Sequence, residues 1–208
     1  HRPDLVAVFG ADHIYRMDVR QMVRFHCESQ ADATVAALPV PLDQASGFGV
    51  IETGADGCIR GFQEKPANPK PMPADPRRAY ASMGNYLFNA DFLRAVLEDA
   101  HQRGETDFGQ HVLPRLTDTN RIFAYDFATN EVPGAKPYEE RGYWRDVGTL
   151  DAYFEAHQDV LGLEPRFDAF NPQWPIYSSH YQGPTARVVQ GNLDNVLLGA
   201  AIIVHGAQ

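Results

Sequence analysis

Two aspartates stand where metal-assisted phosphoryl chemistry would need them. Gly10-Ala11-Asp12-His13-Ile14-Tyr15 follows the apolar run Leu5-Val6-Ala7-Val8-Phe9. Asp12 therefore falls at the carboxyl end of an expected strand, where open α/β sheets place their ligands. Tyr143-Trp144-Arg145-Asp146-Val147-Gly148-Thr149 sets Asp146 amid aromatic bulk, just before a helix expected to begin near Leu150. Two separated carboxylates suit magnesium, which keeps several waters and takes only one or two protein oxygens. Each aspartate also has a plainer reading. Asp12 after Gly10 is a natural turn cap, and Asp146 is a natural partner for Arg145, with Thr149 capping the helix. Residue type alone favours the plainer reading for each aspartate taken separately.

Phe62-Gln63-Glu64-Lys65-Pro66 places adjacent opposite charges at the end of a strand that Pro66 terminates. Neighbouring strand residues face opposite ways, so Glu64 and Lys65 need not pair with each other. Lys65 suits a phosphate, and Glu64 suits the hydroxyls of a sugar; solvated charges at an exposed strand end are the plainer account. Ser46-Gly47-Phe48-Gly49-Val50 and Ser82-Met83-Gly84-Asn85-Tyr86 put glycines where backbone must turn sharply or approach a ligand closely, or where a strand bulges. His13, His26, His101, His111, His157, His180 and His205 show no metal-ligand spacing and read as surface or core residues.

These residues need a layered frame. The run Leu5–Phe9 reads as a strand buried on both faces. Val19, Met22, Val23 and Cys27 keep helical spacing from Val19 to Glu28, with Asp18 available as N-cap. Ala33 to Val40 reads as a strand. Phe48–Glu52 and Cys58–Glu64 form a hairpin about Gly54-Ala55-Asp56-Gly57, and the stretch from Pro66 to Pro76 is a loop. A short strand at Tyr86–Phe88, helices over Ala90–Ala100 and Phe108–Leu116, and a strand over Arg121–Phe127 complete an α/β alternation. Past Leu163 the periodicity is lost until Arg187. Val196 and Ile202, Leu197 and Ile203, and Leu198 and Val204 then lie six residues apart, the period of a β-helix repeat.

Composition narrows the function. The chain has 208 residues, 44% of them hydrophobic, enough for a substantial core. Its apolar runs fall far short of the ~20 residues that cross a bilayer, so no membrane partner is expected. A net charge of -9 argues against nucleic-acid binding, though not against a small anion held by one or two local cations. Two cysteines, Cys27 and Cys58, suit a reduced, cytoplasmic protein. The first residue is His1, so a native start upstream of it is expected.

Taken together, Ala11-Asp12-His13-Ile14-Tyr15, Phe48-Gly49-Val50, Glu64-Lys65-Pro66, Ala81-Ser82-Met83-Gly84, Asp107-Phe108-Gly109 and the Tyr143–Thr149 run resemble the bacterial glucose-1-phosphate adenylyltransferases in order and spacing. Asn171-Pro172-Gln173-Trp174-Pro175-Ile176 resembles that family's linker. The resemblance implies a Rossmann-like nucleotidyltransferase domain with a mixed sheet over 1–163, a linker over 164–187, and the first coil of a left-handed β-helix over 188–208. It implies an allosteric, homotetrameric enzyme of glycogen biosynthesis that makes ADP-glucose and pyrophosphate from ATP and glucose 1-phosphate. Carried over by position, Gly49, Glu64, Lys65 and Ser82 would contact glucose 1-phosphate, Asp12 and Asp146 would hold Mg2+, and Asp12, Lys65 and Asp146 would carry the catalysis.

The family's glycine-rich nucleotide loop has no counterpart in this sequence, so the chain by itself is expected to be a fragment with little or no activity. Three other readings stand beside this one. A thymidylyl- or guanylyltransferase would share Glu64-Lys65-Pro66. A regulatory subunit would have lost metal or sugar-phosphate ligands, whereas Asp12, Glu64, Lys65 and Asp146 are all present. A metal-dependent glycosyltransferase would carry an Asp-x-Asp triplet, and none occurs.

Overall fold

The computed structural model describes residues 2–177 and 183–207. His1, His180 and Gln208, with the part of the expected linker at 178–182, lie outside the described residues. In chain order the strands are β1 (Leu5–Phe9), β2 (His13–Tyr15), β3 (Ala33–Pro41), β4 (Gly49–Thr53), β5 (Ile59–Glu64), β6 (Arg78–Asn89), β7 (Ile122–Asp126), β8 (Trp144–Asp146), β9 (Arg187–Gly191) and β10 (Ile203–Ala207). The helices are α1 (Val19–Glu28), α2 (Ala90–Arg103), α3 (Leu113–Leu116) and α4 (Leu150–Gln158). None is long and apolar enough to cross a membrane, among the described residues.

A six-stranded mixed sheet forms the centre, in the order β5-β4-β6-β3-β7, with β1 on β6. Only β3 and β7 run parallel; the other pairings are antiparallel. One face packs Val35, Phe88 and Ile122 under Leu93, Val96 and Ala100 of α2 and Leu113 and Leu116 of α3. The other packs Ala36, Leu87 and Tyr125 under Met22 of α1, along with Phe127 and Trp144. The result is the three-layered α/β arrangement that the alternating pattern demands.

Several expectations are corrected here. β1 is not buried on both faces: Val6 and Val8 pack against the core, while Ala7 and Phe9, alternate residues of the opposite face, are exposed. β6 extends well before Tyr86. Its first half is built of small and polar residues with little strand signature, and it gains its ladder from β3 and β4. Its register against β3 shifts between Val35 and Ala37, where Gly84 adopts φ +69°. The expected helix over Phe108–Leu116 is a π turn at Phe108–Val112 running into α3, with Asp107 capping its start. β10 pairs in parallel with β9, while Val196–Leu198 lie outside any strand.

The approach to α1 shows how the frame is pinned next to β2. Asp18 Oδ1 accepts from the Arg20 backbone N–H at 3.0 Å, and its carboxylate takes the Arg20 guanidinium at 2.8 and 2.9 Å. Asn130 holds both main-chain groups of Asp18. Hydrogen bonding from Arg20 holds the Asp18 carboxyl below its ordinary value. A group with a lowered folded pKa stabilises above its unfolded pKa, near ~3.9, and that contribution fades as pH falls through the lowered value. Asp18→Ala in the full-length protein is expected to cost about 1 kcal/mol at neutral pH. Urea titrations at pH 7 and below pH 3 should show that gap shrinking in acid; an equal gap at both would contradict the assignment.

Candidate functional site

The site is assembled by a pairing with a weak sequence signal. β2 and β8 form an isolated antiparallel ribbon with His13 opposite Asp146 and Tyr15 opposite Trp144. One further bond extends it, from the Val147 N–H to the Asp12 carbonyl at 3.1 Å. The two aspartates picked out by sequence thus sit side by side at one end of the sheet. A ligand atom from each of Asp12, His13 and Asp146 lies within 4.8 Å of the others.

Of the plainer readings, Thr149 does cap α4, but neither aspartate makes the structural contact expected of it. No backbone N–H is bonded to the Asp12 carboxylate among the described residues, and its side chain is 65% exposed. Arg145 turns away from Asp146: its guanidinium binds Asp159 at 2.9 Å and Glu140 at 2.7 Å, and lies over the Tyr143 ring. Adjacent residues of a three-residue strand point to opposite sides, which releases Asp146 toward the cavity. Its Oδ1 accepts from the Gly148 N–H at 3.0 Å, and Thr149 caps α4 through the Ala152 N–H at 3.2 Å.

Beside this ribbon a cavity of about 230 Å³ brings together Gly49, Glu64, Lys65, Ser82 and Asp146. Five of the six predicted residues line it directly, and Asp12 borders it through His13. Two glycines make room for the Glu64 carboxylate. A methyl group on Gly49 would stand 2.9 Å from Glu64 Oε2 and 2.7 Å from Phe62 Cζ, and one on Gly109 would stand 3.0 Å from the same oxygen. Lys65 follows at φ 45°, a conformation uncommon in residues with a side chain. Lys65 Nζ lies 3.9 Å from Glu64 Oε1. The ammonium remains largely exposed and free to meet an anion.

Two further residues enter the site that sequence reading left without a role. Tyr86 and Asp107 line the same cavity. Burial raises the Tyr86 phenol above its ordinary value; the Ser82 hydrogen bond opposes this and the Glu64 and Asp107 charges add to it. Tyr86 therefore stays a neutral hydroxyl at physiological pH. Its strand periodicity marked it only as apolar, whereas Asp107 already stood out within Asp107-Phe108-Gly109. His13, read as a core or surface histidine, is largely buried, with its Nε2 3.4 Å from Asp12 Oδ1. Buried polar atoms normally have partners, yet among the described residues His13 Nδ1 and Trp144 Nε1 have none.

A larger cleft of about 400 Å³ lies elsewhere, lined by Arg16, Phe127, Lys136 and Glu139. Its central charges are already matched, Arg16 with Glu139 and with the Asp168 carbonyl, and it gathers none of the predicted residues. The residues singled out by sequence gather in the smaller cavity instead.

Known proteins resemble the chain over nearly all its length. The family model described as nucleotidyl transferase matches residues 1–162. The glucose-1-phosphate adenylyltransferase of Thermodesulfovibrio yellowstonii is 53% identical over 100% of this chain and 51% of its own length. Those of Thermus thermophilus and Photobacterium profundum are 46% and 44% identical, each over 99% of this chain and 51% and 52% of their own length. The chain thus spans about half the length of the curated relatives it matches. With a mixed sheet, a paired-aspartate ribbon at its end and a family match over most of its length, the chain belongs to the nucleotidyl transferase family.

Proposed function

We propose that the protein containing this chain is a sugar-1-phosphate nucleotidyltransferase that makes ADP-glucose and pyrophosphate from ATP and α-D-glucose 1-phosphate, in glycogen biosynthesis. One observation carries the reading: the cavity that collects Gly49, Glu64, Lys65 and Ser82 abuts the ribbon that joins Asp12 to Asp146. The names of the relatives support the choice of adenylyl group and glucose.

The reaction asks for positioning and for charge stabilisation. An oxygen of the sugar phosphate attacks the α-phosphorus of the triphosphate in line, the bond from that phosphorus to the bridging oxygen breaks, and pyrophosphate leaves with the electron pair. No protein nucleophile is required, because aligning two reactants is itself worth on the order of ~7 kcal/mol or more. In this reading Lys65 holds the attacking phosphate as a point charge. Glu64, wedged between Gly49 and Gly109, accepts from sugar hydroxyls, and a hydroxyl suited to donation is held beside it on Tyr86. Ser82 contributes a further hydroxyl, placed by its bond from the Gly84 N–H at 3.3 Å.

Asp12 and Asp146 offer hard oxygen donors close enough to share one ion, the donor set that Mg2+ takes. When bound, such an ion would offset the negative charge that grows on the phosphoryl oxygens. The same reading makes 1–163 the catalytic domain, 164–187 a linker and 188–208 the opening coil of a left-handed β-helix, which the parallel pairing of β9 and β10 supports. A cytoplasmic, allosteric homotetramer belongs to that reading as well.

Pyrophosphate release by the full-length protein with each nucleoside triphosphate and glucose 1-phosphate tests the proposal. ATP should be strongly preferred, and Asp12→Asn should lower kcat on the order of 10²–10³-fold or more. Preference for another nucleotide would move the protein to a sister specificity, and full activity in the variant would remove Asp12 from the mechanism. Lys65→Gln should raise the KM for glucose 1-phosphate roughly 10- to 100-fold, from the loss of one charge-assisted contact, and leave the KM for ATP nearly unchanged. An effect confined to ATP would place Lys65 on the wrong substrate.

A further inference from the structure

His13 is built into its position more tightly than a surface histidine needs. A methyl group on Gly10 would stand 2.7 Å from His13 Cε1, and one on Gly84 would stand 3.1 Å from the same atom. The Gly10 N–H binds the Gly84 carbonyl at 3.2 Å, which closes this backbone cradle. On a third side the Trp144 ring meets the imidazole edge to face, with centroids 5.1 Å apart. The side chain is only 11% exposed, whereas the Asp12 carboxylate beside it is 65% exposed. A carboxylate that open would sample several rotamers without a fixed neighbour.

The tautomer follows from the surroundings. Among the described residues Nδ1 is buried without a partner, and a buried N–H without an acceptor costs a full desolvation penalty. A histidine that ligates a metal through one nitrogen almost always donates the other N–H to an acceptor, and Nδ1 has none there. Both arguments point to the proton on Nε2, which lies 3.4 Å from Asp12 Oδ1. We infer that His13 is a positioning residue: clamped by Gly10, Gly84 and Trp144, its Nε2–H fixes the Asp12 carboxylate in the rotamer that shares a divalent ion with Asp146.

This inference rests on the reading of Asp12 and Asp146 as the metal pair, and the test separates the two. Mn2+ binding to the full-length protein is followed by the electron paramagnetic resonance signal of the free ion, with thermal unfolding as a fold control. Asp12→Asn should abolish binding; if it does not, the metal pair itself is wrong. His13→Leu should weaken binding roughly 10- to 100-fold, the usual cost of losing a partner that orients a ligand. His13→Gln carries an amide N–H to the same reach and should restore most of the affinity. Gly10→Ala crowds the ring while keeping the imidazole, and should weaken binding in the same direction even if His13→Leu does not fold. Wild-type affinity in His13→Leu or Gly10→Ala overturns the inference. So does a nitrogen hyperfine coupling on bound Mn2+ that disappears in His13→Gln, since it would make His13 a ligand.

Discussion

Everything proposed for this protein depends on three backbone pairs, His13 with Asp146, Ile14 with Arg145 and Tyr15 with Trp144. They join the segment after the first strand to one more than half the chain away. Closing a loop of that length costs on the order of 4 kcal/mol in chain entropy, more than three residues of ribbon can return alone. The difference comes from packing. Trp144 is buried in the core face under α1, Tyr15 packs against the same cluster, and Phe48 meets Trp144 with ring centroids 5.5 Å apart. The aromatic residues around Asp146 are therefore the anchor that makes the carboxylate pair possible. Their bulk is a structural requirement of the chemistry next to them.

The site divides its tasks between the two faces of the sheet. Trp144 and Met83 belong to the face under α1, and Phe62, Tyr86 and Phe108 to the face under α2. The cavity opens where these meet, at the register shift in β6. Gly84 sits in that shift at φ +69°, a conformation that costs glycine nothing. Ser82, Gly84 and Tyr86 are alternate residues of β6 and face the same way, and the register shift interrupts the ladder with β3 beside them.

The sequence made local chemistry legible and left long-range geometry hidden. Asp18 as a helix cap, Thr149 as a helix cap and the turn at Gly54–Gly57 each rest on contacts a few residues apart, and they stand where propensity puts them. The β2–β8 ribbon escaped because a three-residue strand has too few positions to show alternation. An apolar run such as Leu5–Phe9 does not reveal whether one face of the strand or both are covered. His13 carries no sequence signal of its role because Gly84 and Trp144, which help hold its ring, come from distant segments. Tyr86 carried no signal beyond strand periodicity, since a tyrosine in a core strand reads the same whether its hydroxyl faces a ligand or a satisfied neighbour.

The central claim is that Asp12 and Asp146 converge to share one divalent ion beside a sugar-phosphate cavity. Anomalous diffraction from crystals of the full-length protein grown with Mn2+ and glucose 1-phosphate addresses it directly. The account predicts one strong manganese peak within coordination distance of both carboxylates, with the sugar phosphate against Glu64, Lys65 and Ser82. A peak bound to neither aspartate, or a sugar phosphate lodged in the cleft beside Arg16 and Glu139, would contradict it.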